Sequence, residues 1–181
     1  MVLDAAKLAA QWEPQVIEAR RYLHAHPELA DREVNTASYI WEQLSQYTSL
    51  TLSRPCPTGV VAVLKGAKPG RVYAARCDID ALPIEEYDDS PFKSQNPGVM
   101  HACGHDGNTA ILLTAAKILA EHPEEVSGTI KFIFQPSEEA NTGGSIEMVQ
   151  AGVVDDVDII FGAHVAAGCE PGQFSLPNRA P

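Results

Sequence analysis

The chain lacks the features that would place it in a membrane, in a secretory compartment or on nucleic acid. No apolar run approaches the roughly 20 residues that are needed to span a bilayer. The N-terminal residues lack the basic region and apolar core of a signal peptide. There are 13 Lys and Arg against 24 Asp and Glu, and the resulting net charge of -11 argues against a phosphate backbone or an anionic membrane surface as a partner. We therefore expect a cytoplasmic protein that binds neither nucleic acid nor membrane.

Cysteine is also scarce. The four cysteines, Cys56, Cys77, Cys103 and Cys169, are scattered and form no C-x-x-C pair. Without a secretory signal, a disulfide framework is not expected, and the thiols should be reduced. Only Cys103 has donor-rich neighbours at a useful spacing, so it is the one cysteine that we consider as a candidate ligand.

Composition and periodicity indicate one α/β domain. The chain has 181 residues, of which 45% are hydrophobic and 20% charged, and this is enough for one domain with a substantial core. Because strands alternate with helices in the second half and the first strands resemble hairpins, we expect a mixed, mostly parallel sheet between helices, with an antiparallel edge. The predicted helices are 3–26, 34–46, 106–121 and 144–150, and the predicted strands are 50–53, 60–64, 72–75, 129–134, 157–161 and 173–176.

Three short segments are rich in side chains that can bind a metal ion. Residues 100–106 (MHACGHD), 135–139 (QPSEE) and 161–164 (FGAH) supply a thiol, imidazoles and two adjacent carboxylates. Thiolate, imidazole and carboxylate are the ligands that transition metals take from proteins. A spare carboxylate beside a ligating one is what a metal hydrolase needs as a proton carrier. The segments therefore indicate a metal site with hydrolytic chemistry.

Several of these groups directly follow the ends of predicted strands. Asp78 and Asp80 follow one strand, the Glu138–Glu139 pair follows the next, and His164 follows a third. In open α/β sheets, ligands bind outside the carboxyl ends of the strands. One edge of the sheet could therefore gather groups that are far apart in sequence.

The remaining candidates, Cys103 and His105, lie where the long polar stretch 81–104 opens a helix. Loops of that length in compact domains are usually functional. We expect the positive end of the helix dipole to favour a thiolate at Cys103.

Each candidate also has a purely structural interpretation. Cys103 alone would be a small buried residue, but its spacing from His105 favours chelation of one ion. His164 could be a core histidine with satisfied nitrogens, the Glu138–Glu139 pair a solvated loop, and Asp80 a turn residue.

Three further polar features are expected to be structural. His24 ends the first helix, and His122 is a cation at a helix end. The acidic run at 85–89 is expected to form a solvated loop face.

Five segments, taken in order, resemble the amidohydrolase branch of the aminoacylase/carboxypeptidase family of metallohydrolases, which includes hippurate hydrolases, indole-acetyl-amino-acid hydrolases and N-acetyl-diaminopimelate deacetylases. The resemblance extends over nearly the whole chain and implies a three-layer, zinc-exopeptidase-like fold. The segments are Arg21–Leu29, Arg76–Pro83, Met100–Asp106, Gln135–Glu139 and Phe161–His164.

The resemblance implies a centre with two divalent transition metal ions. Cys103 would bridge the ions, His105 and Glu139 would ligate one of them, and His164 would ligate the other. Zinc or manganese would be the metal, with cobalt and nickel as alternatives.

The resemblance also implies the reaction. Glu138 would be the general base that activates water, and Asp80 would orient the ligands. The substrate would be a small-molecule N-acyl amino acid, hydrolysed to a carboxylate and a free amino acid, and the enzyme could be a homo-oligomer.

The sequence departs from the family pattern at single positions and in length. Asn108, Cys77 and Ala167 stand where the pattern has histidine, alanine and proline. Family members are roughly double the length and carry an inserted lid or dimerisation domain. Residues 1–181 would thus be the N-terminal portion of the catalytic domain, incomplete at the C-terminus and weak or inactive alone. Two alternatives stay open: a non-catalytic, truncated metal-binding or interaction protein, and a dipeptidase or carboxypeptidase of the same fold.

Overall fold

A computed structural model of the chain describes residues 3–140 and 143–166, together with residues 168, 170, 172, 173 and 175. The described part contains four α-helices, one short 3-10 helix and five strands. In chain order they are α1 (Ala5–Ala25), α2 (Val34–Leu44), β1 (Leu50–Ser53), β2 (Val60–Lys65), β3 (Lys68–Asp78), α3 (His105–Ala120), the 3-10 helix (Pro123–Glu125), β4 (Ser127–Gln135), α4 (Gly144–Gln150) and β5 (Ile159–Gly162).

The five strands form one mixed sheet in the order β1-β2-β4-β3-β5. The pairs β1–β2 and β2–β4 are antiparallel, whereas β3–β4 and β3–β5 are parallel. All strands except β2 therefore point the same way. The predicted mixed sheet with an antiparallel edge is confirmed. The strand predicted at 173–176 includes residues 174 and 176, which lie outside the described residues.

Helices cover both faces of the sheet, which gives the expected three layers. Side chains alternate along β2, so that Val60, Ala62 and Leu64 face a core shared with α1, α2 and α3. Val61, between them, packs on the opposite face with Met148 of α4. Both faces of β2 are buried, which explains why its sequence is an unbroken apolar run.

The parallel β3-α3-β4 unit places the functional segments at one edge of the sheet. β3 ends at Asp78 and β4 ends at Gln135, and these two residues are register partners. α3 begins at His105 on the same side, directly after Gly104, whose φ of 92° lies in the left-handed region that favours glycine. Two strand ends and one helix start thus meet there.

The first helix is continuous. α1 runs through Pro14 without a break and is capped by Asp4, whose side chain accepts a hydrogen bond from the N–H of Lys7. Its observed ends lie within two residues of the predicted ends. No helix in the described part of the chain has both the length and the apolar character needed to cross a membrane.

Candidate functional site

The first residue of α3 presents a free imidazole nitrogen to the sheet edge. His105 is 1% exposed, and its Nδ1 lies 2.9 Å from the backbone carbonyl oxygen of Asp80. Because a carbonyl oxygen only accepts hydrogen bonds, Nδ1 carries the proton in this contact. Nε2 is buried and has no hydrogen-bond partner among the described residues. The lone pair on Nε2 is therefore available to a metal ion.

Asp80 connects His105 to the turn that follows β4. Besides its carbonyl contact with His105, its side-chain Oδ2 accepts a hydrogen bond from the backbone N–H of Glu139 at 2.8 Å. Burial opposes ionisation of this carboxyl, but the hydrogen bonds from His105 and Glu139 lower its pKa. Asp80 is 1% exposed. Its role extends beyond a turn, because it forms hydrogen bonds with two predicted ligands, His105 and Glu139.

Cys103 and His164 face each other across the site. Sγ of Cys103 lies 3.5 Å from Nε2 of His164. Nδ1 of His164 lies 2.6 Å from the carbonyl oxygen of Val165, which leaves Nε2 as the nitrogen that faces the sulfur. Zinc bonds of about 2.3 Å to sulfur and about 2.0–2.1 Å to nitrogen at a tetrahedral angle would put the two atoms roughly 3.5 Å apart. The observed separation therefore fits two ligands of one ion.

The potential ligand atoms form two groups that share His105. The first contains Cys103, His105 and His164, and the second contains His105, Glu138 and Glu139; within each group the atoms lie within 4.8 Å of one another. The carboxylate of Glu139 also acts on the Cys103 thiol and raises its pKa. A mixed set of sulfur, nitrogen and oxygen donors suits a transition metal such as zinc.

The site is electrostatically negative. Burial, together with the hydrogen bond to Glu139 and the charges of Glu139, Glu138 and Asp78, raises the pKa of the Cys103 thiol to about 11. In the metal-free protein, burial first and the surrounding carboxylates second therefore favour the neutral thiol, although Cys103 lies just before the start of α3. A bound cation would reverse this balance, since a coordinating thiol is deprotonated.

Asp78, at the end of β3, adds to the crowding of carboxylates. Burial raises its pKa to about 6, the guanidinium of Arg76 opposes that effect, and the nearby charges of Glu138 and Asp80 add to it. Arg76 also forms an ion pair with Asp78.

His24 belongs to a buried network beside the site. Its Nδ1 lies 2.8 Å from Oδ2 of Asp106, and its Nε2 lies 2.9 Å from Oε1 of Glu86. Both ring nitrogens are occupied, in agreement with a structural role. Glu86 is only 4% exposed, so the prediction of a solvated acidic loop at 85–89 is wrong at this residue. The reason is that Glu86 pairs with a histidine that is distant in sequence.

Two of the three positions that depart from the family pattern, Asn108 and Cys77, lie among the described residues, and both make specific contacts. Oδ1 of Asn108 accepts a hydrogen bond from the N–H of Val165 at 2.9 Å, which anchors the segment next to His164. Cys77 is buried, with Sγ 4.0 Å from Oγ1 of Thr109, and stays out of the site as predicted. The third departure, Ala167, lies outside the described residues, as does Cys169.

A cavity of about 720 Å³ opens next to Cys103, between α1 and the start of α3. Its apolar walls include Phe92 and Ile111, and Arg20 adds a positive charge. His101, which also lines it, is buried, and neither of its ring nitrogens has a hydrogen-bond partner among the described residues. Burial lowers the pKa of His101 to about 4, so the ring is neutral. The cavity offers space for an organic substrate beside the candidate metal ligands.

Sequence analysis did not identify the groups that hold the turn before Glu138. Ser137 adopts a left-handed φ of 54° and is bonded to Asp31 and Glu33, which are more than 100 positions away. No local pattern at any of the three residues indicated this contact.

Known proteins resemble the chain in both sequence and structure. The N-acyl-L-amino acid amidohydrolase of Geobacillus stearothermophilus is 49% identical over 173 residues, covering 96% of this chain and 47% of that protein. Thermostable carboxypeptidase 1 of Saccharolobus solfataricus is 42% identical over 165 residues, covering 90% of this chain and 42% of that protein. The Bacillus subtilis YXEP protein, described as a dinuclear metal binding peptidase from the M20 family, has a crystal structure that superposes with a TM-score of 0.81 at 42% identity, covering 86% of this chain and 43% of that one.

These similarities, together with a match to a family sequence pattern, identify the family of the chain. The chain spans less than half the length of each of these proteins. The sequence pattern of peptidase family M20/M25/M40 matches residues 74–176, which is more than half of the chain and includes all four predicted metal ligands. The chain therefore belongs to peptidase family M20/M25/M40.

Proposed function

We propose that the chain supplies the metal-binding centre of a hydrolase that cleaves the amide bond of N-acyl amino acids. The observation that carries this proposal is the convergence of Cys103, His105 and His164 with the Glu138–Glu139 pair at one sheet edge. Supporting it, a 49% identical relative is an N-acyl-L-amino acid amidohydrolase.

Two divalent transition metal ions would be held by the predicted ligands. His105, through its free Nε2, and Glu139 would hold one ion, His164 would hold the other, and Cys103 would be shared. The support is the free Nε2 of His105, the spacing of Cys103 from His164, and a related structure that is described as dinuclear. We favour zinc or manganese, with cobalt or nickel as alternatives. When bound, the ions would polarise the amide carbonyl and lower the pKa of water.

Glu138 would carry the proton. It is adjacent to the proposed ligand Glu139, and its carboxylate lies within 4.8 Å of the ligand atoms of Glu139 and His105. As general base, Glu138 would take a proton from the attacking water while the water oxygen bonds to the carbonyl carbon. It would then return that proton to the leaving nitrogen as the C–N bond breaks, which releases a carboxylic acid and a free amino acid.

A carboxypeptidase activity is the second candidate, and the 42% identity to thermostable carboxypeptidase 1 favours it. Both reactions cleave an amide whose nitrogen belongs to an amino acid with a free carboxylate. They differ in the acyl side, which is a simple acid in one case and a peptide in the other. The spacing of Cys103 and His105 resembles the amidohydrolase branch, so we place that activity first.

We propose that residues 1–181 correspond to the N-terminal portion of the catalytic domain. These residues cover 47% and 42% of the two longer relatives. Accordingly, we expect the 181 residues alone to hydrolyse N-acyl amino acids weakly or not at all, and any homo-oligomer to depend on the part not covered.

The test is an assay of the chain alone and of a chimera that joins it to the remaining segment of the Geobacillus stearothermophilus relative. Substrates are N-acetyl and N-benzoyl amino acids and dipeptides, with zinc or manganese added. We expect the chimera to hydrolyse N-acyl amino acids faster than dipeptides, and its Glu138→Gln variant to be at least about a hundredfold slower. A chimera that binds metal but hydrolyses none of the substrates would instead support a non-catalytic metal-binding protein.

A further inference from the structure

The turn that carries Glu138 and Glu139 begins with a residue in an unusual conformation. Ser137 has a φ of 54°, in the left-handed region that non-glycine residues rarely adopt. It is 2% exposed and lies directly before the two glutamates. Residues in this region persist only where surrounding contacts hold them, and such residues cluster at functional sites.

A second left-handed residue, Asp31, is bonded to Ser137. The φ of Asp31 is 64°. The Ser137 hydroxyl donates to Oδ1 of Asp31 at 2.7 Å and accepts from the backbone N–H of Asp31 at 2.8 Å. These are the only two non-glycine residues with positive φ in the part of the chain that the structure describes, and they are bonded to each other.

Glu33 holds the backbone of the same turn. Its Oε1 accepts a hydrogen bond from the backbone N–H of Ser137 at 2.7 Å and lies 3.2 Å from the Ser137 hydroxyl oxygen. Glu33 is fully buried, although it sits next to the exposed start of α2. A buried carboxyl is costly unless it is hydrogen-bonded, and the contacts of Oε1 with the turn offset part of this cost, whereas Oε2 has no hydrogen-bond partner among the described residues.

The turn is also fixed on its other sides. The N–H of Gly144 donates to the carbonyl oxygen of Ser137 at 3.1 Å, and a Cβ at Gly144 would lie 2.1 Å from the carbonyl oxygen of Pro136. Beyond Ser137, the N–H of Glu139 donates to Asp80. The direction of Glu138 and Glu139 therefore depends on contacts from three separate segments of the chain.

We infer that Asp31 and Glu33 are positioning residues for the Glu138–Glu139 pair: they hold Ser137 in its left-handed conformation, so that both carboxylates face His105. Neither residue belongs to the groups of described residues that could hold a metal ion. The inference rests on the proposed function for its meaning in catalysis, but the positioning itself is a property of the metal-free chain.

The test compares three variants of the 181-residue chain. Glu33→Ala removes the acceptor for the Ser137 N–H, whereas Glu33→Gln keeps an oxygen at that place. Glu28→Ala is the matched control, because Glu28 is a carboxylate in the same loop that bonds to Asn35 and Thr36 at the start of α2 and not to the turn. Two properties are measured: the amide hydrogen exchange of Glu139 in the metal-free chain, and the affinity for Zn²⁺.

In Glu33→Ala we expect faster exchange of the Glu139 N–H and a Zn²⁺ affinity lower by about 10–100-fold, the loss typical of groups that orient metal ligands. Glu33→Gln should restore both properties, and Glu28→Ala should lower only the melting temperature. Unchanged exchange in Glu33→Ala, or an equal change in Glu28→Ala, would overturn the inference.

The test gives a result even if Glu33→Ala does not fold or the unmodified chain does not bind Zn²⁺. If Glu33→Ala does not fold, Ser137→Ala removes both hydroxyl bonds to Asp31 and should also accelerate exchange of the Glu139 N–H; unchanged exchange there would overturn the inference equally. If the unmodified chain binds no Zn²⁺, the proposed metal centre fails, but the exchange measurements still decide whether Glu33 positions the turn.

Discussion

Nδ1 of His105 donates a hydrogen bond to the backbone carbonyl oxygen of Asp80, and Nε2 of the ring is buried without a hydrogen-bond partner in the part of the chain that the structure describes. The carbonyl oxygen and the carboxylate of Asp80 both face Nδ1, so they favour the tautomer with the proton on that nitrogen before any metal binds. Because the Asp80 side chain also accepts the N–H of Glu139, one residue controls the orientation of two proposed ligands.

The first prediction concerns the Asp80 side chain. Asp80→Ala should lower Zn²⁺ affinity by about 10–100-fold, because the N–H of Glu139 loses its acceptor. Asp80→Asn keeps an oxygen that can accept this hydrogen bond, so its affinity should stay closer to that of the unmodified chain. Isothermal titration with Zn²⁺ measures both variants. Equal losses in the two would show that the charge of Asp80, and not its hydrogen bond, matters.

The second prediction concerns the thiol. Titration with Co²⁺ should produce a thiolate-to-cobalt charge-transfer band in the near ultraviolet, and Cys103→Ser should abolish it, because Cys103 is the proposed sulfur ligand. Cys56→Ser is the matched control, since Cys56 is buried in the core on the face of the sheet that carries α4. A band that survives in Cys103→Ser would mean that another cysteine binds the cobalt.

The third prediction separates the two adjacent glutamates. In the catalytically competent chimera, Glu138→Gln should keep its metal and lose turnover by at least about a hundredfold, as expected for a general base. Glu139→Gln should instead lose metal affinity, because it removes a ligand charge. Metal content and turnover are measured on the same preparations. Equal metal loss in both variants would contradict the division of roles.

The fourth prediction concerns stability against pH. The hydrogen bond to Asp106 raises the pKa of His24 above its ordinary value of 6.5; burial and Arg20 oppose this effect, and Glu86 adds to it. A raised pKa in the folded state stabilises the protein fully below pH 6.5, and this contribution is lost as the pH rises through the folded-state value. The stabilisation that His24 provides should therefore be larger at about pH 6 than at about pH 9.

The variant for this test is His24→Gln, which should lower the free energy of unfolding by about 1–3 kcal/mol near pH 6, because buried carboxylates lose a partner. The difference from the unmodified chain should shrink at higher pH. His122→Gln is the control, because His122 is only partly buried and lies 3.7 Å from an exposed Glu124. Urea denaturation at several pH values measures the differences. A His24→Gln difference that does not change with pH would refute the prediction.

Local sequence patterns predicted most helices and strands, because the periodicity of apolar residues matches the side chains that are buried in the core. The unbroken apolar run of β2, which is buried on both faces, and the buried stripe of Ala37, Ile40 and Leu44 on α2 follow directly from strand and helix periodicity. The strand order was not predictable in the same way. β4 is inserted between β2 and β3, and that pairing depends on contacts between segments far apart in sequence.

In the candidate site, too, features that follow from local sequence patterns could be predicted, whereas those that depend on long-range contacts could not. His105, the Glu138–Glu139 pair and His164 could be grouped in advance because they follow strand ends or begin a helix. The left-handed Ser137 could not, because serine has no preference for this conformation and its partners, Asp31 and Glu33, lie far away in sequence. The burial of Glu86 depends similarly on His24, which is 62 positions away.

The most direct test of the metal centre is anomalous diffraction from crystals of the chain grown with Zn²⁺. We predict an anomalous peak within about 2.0–2.3 Å of ligand atoms drawn from Cys103, His105, Glu139 and His164. A second, weaker peak that shares the Cys103 sulfur would correspond to the second ion. Zinc bound only at other residues, with no peak at this sheet edge, would contradict the account.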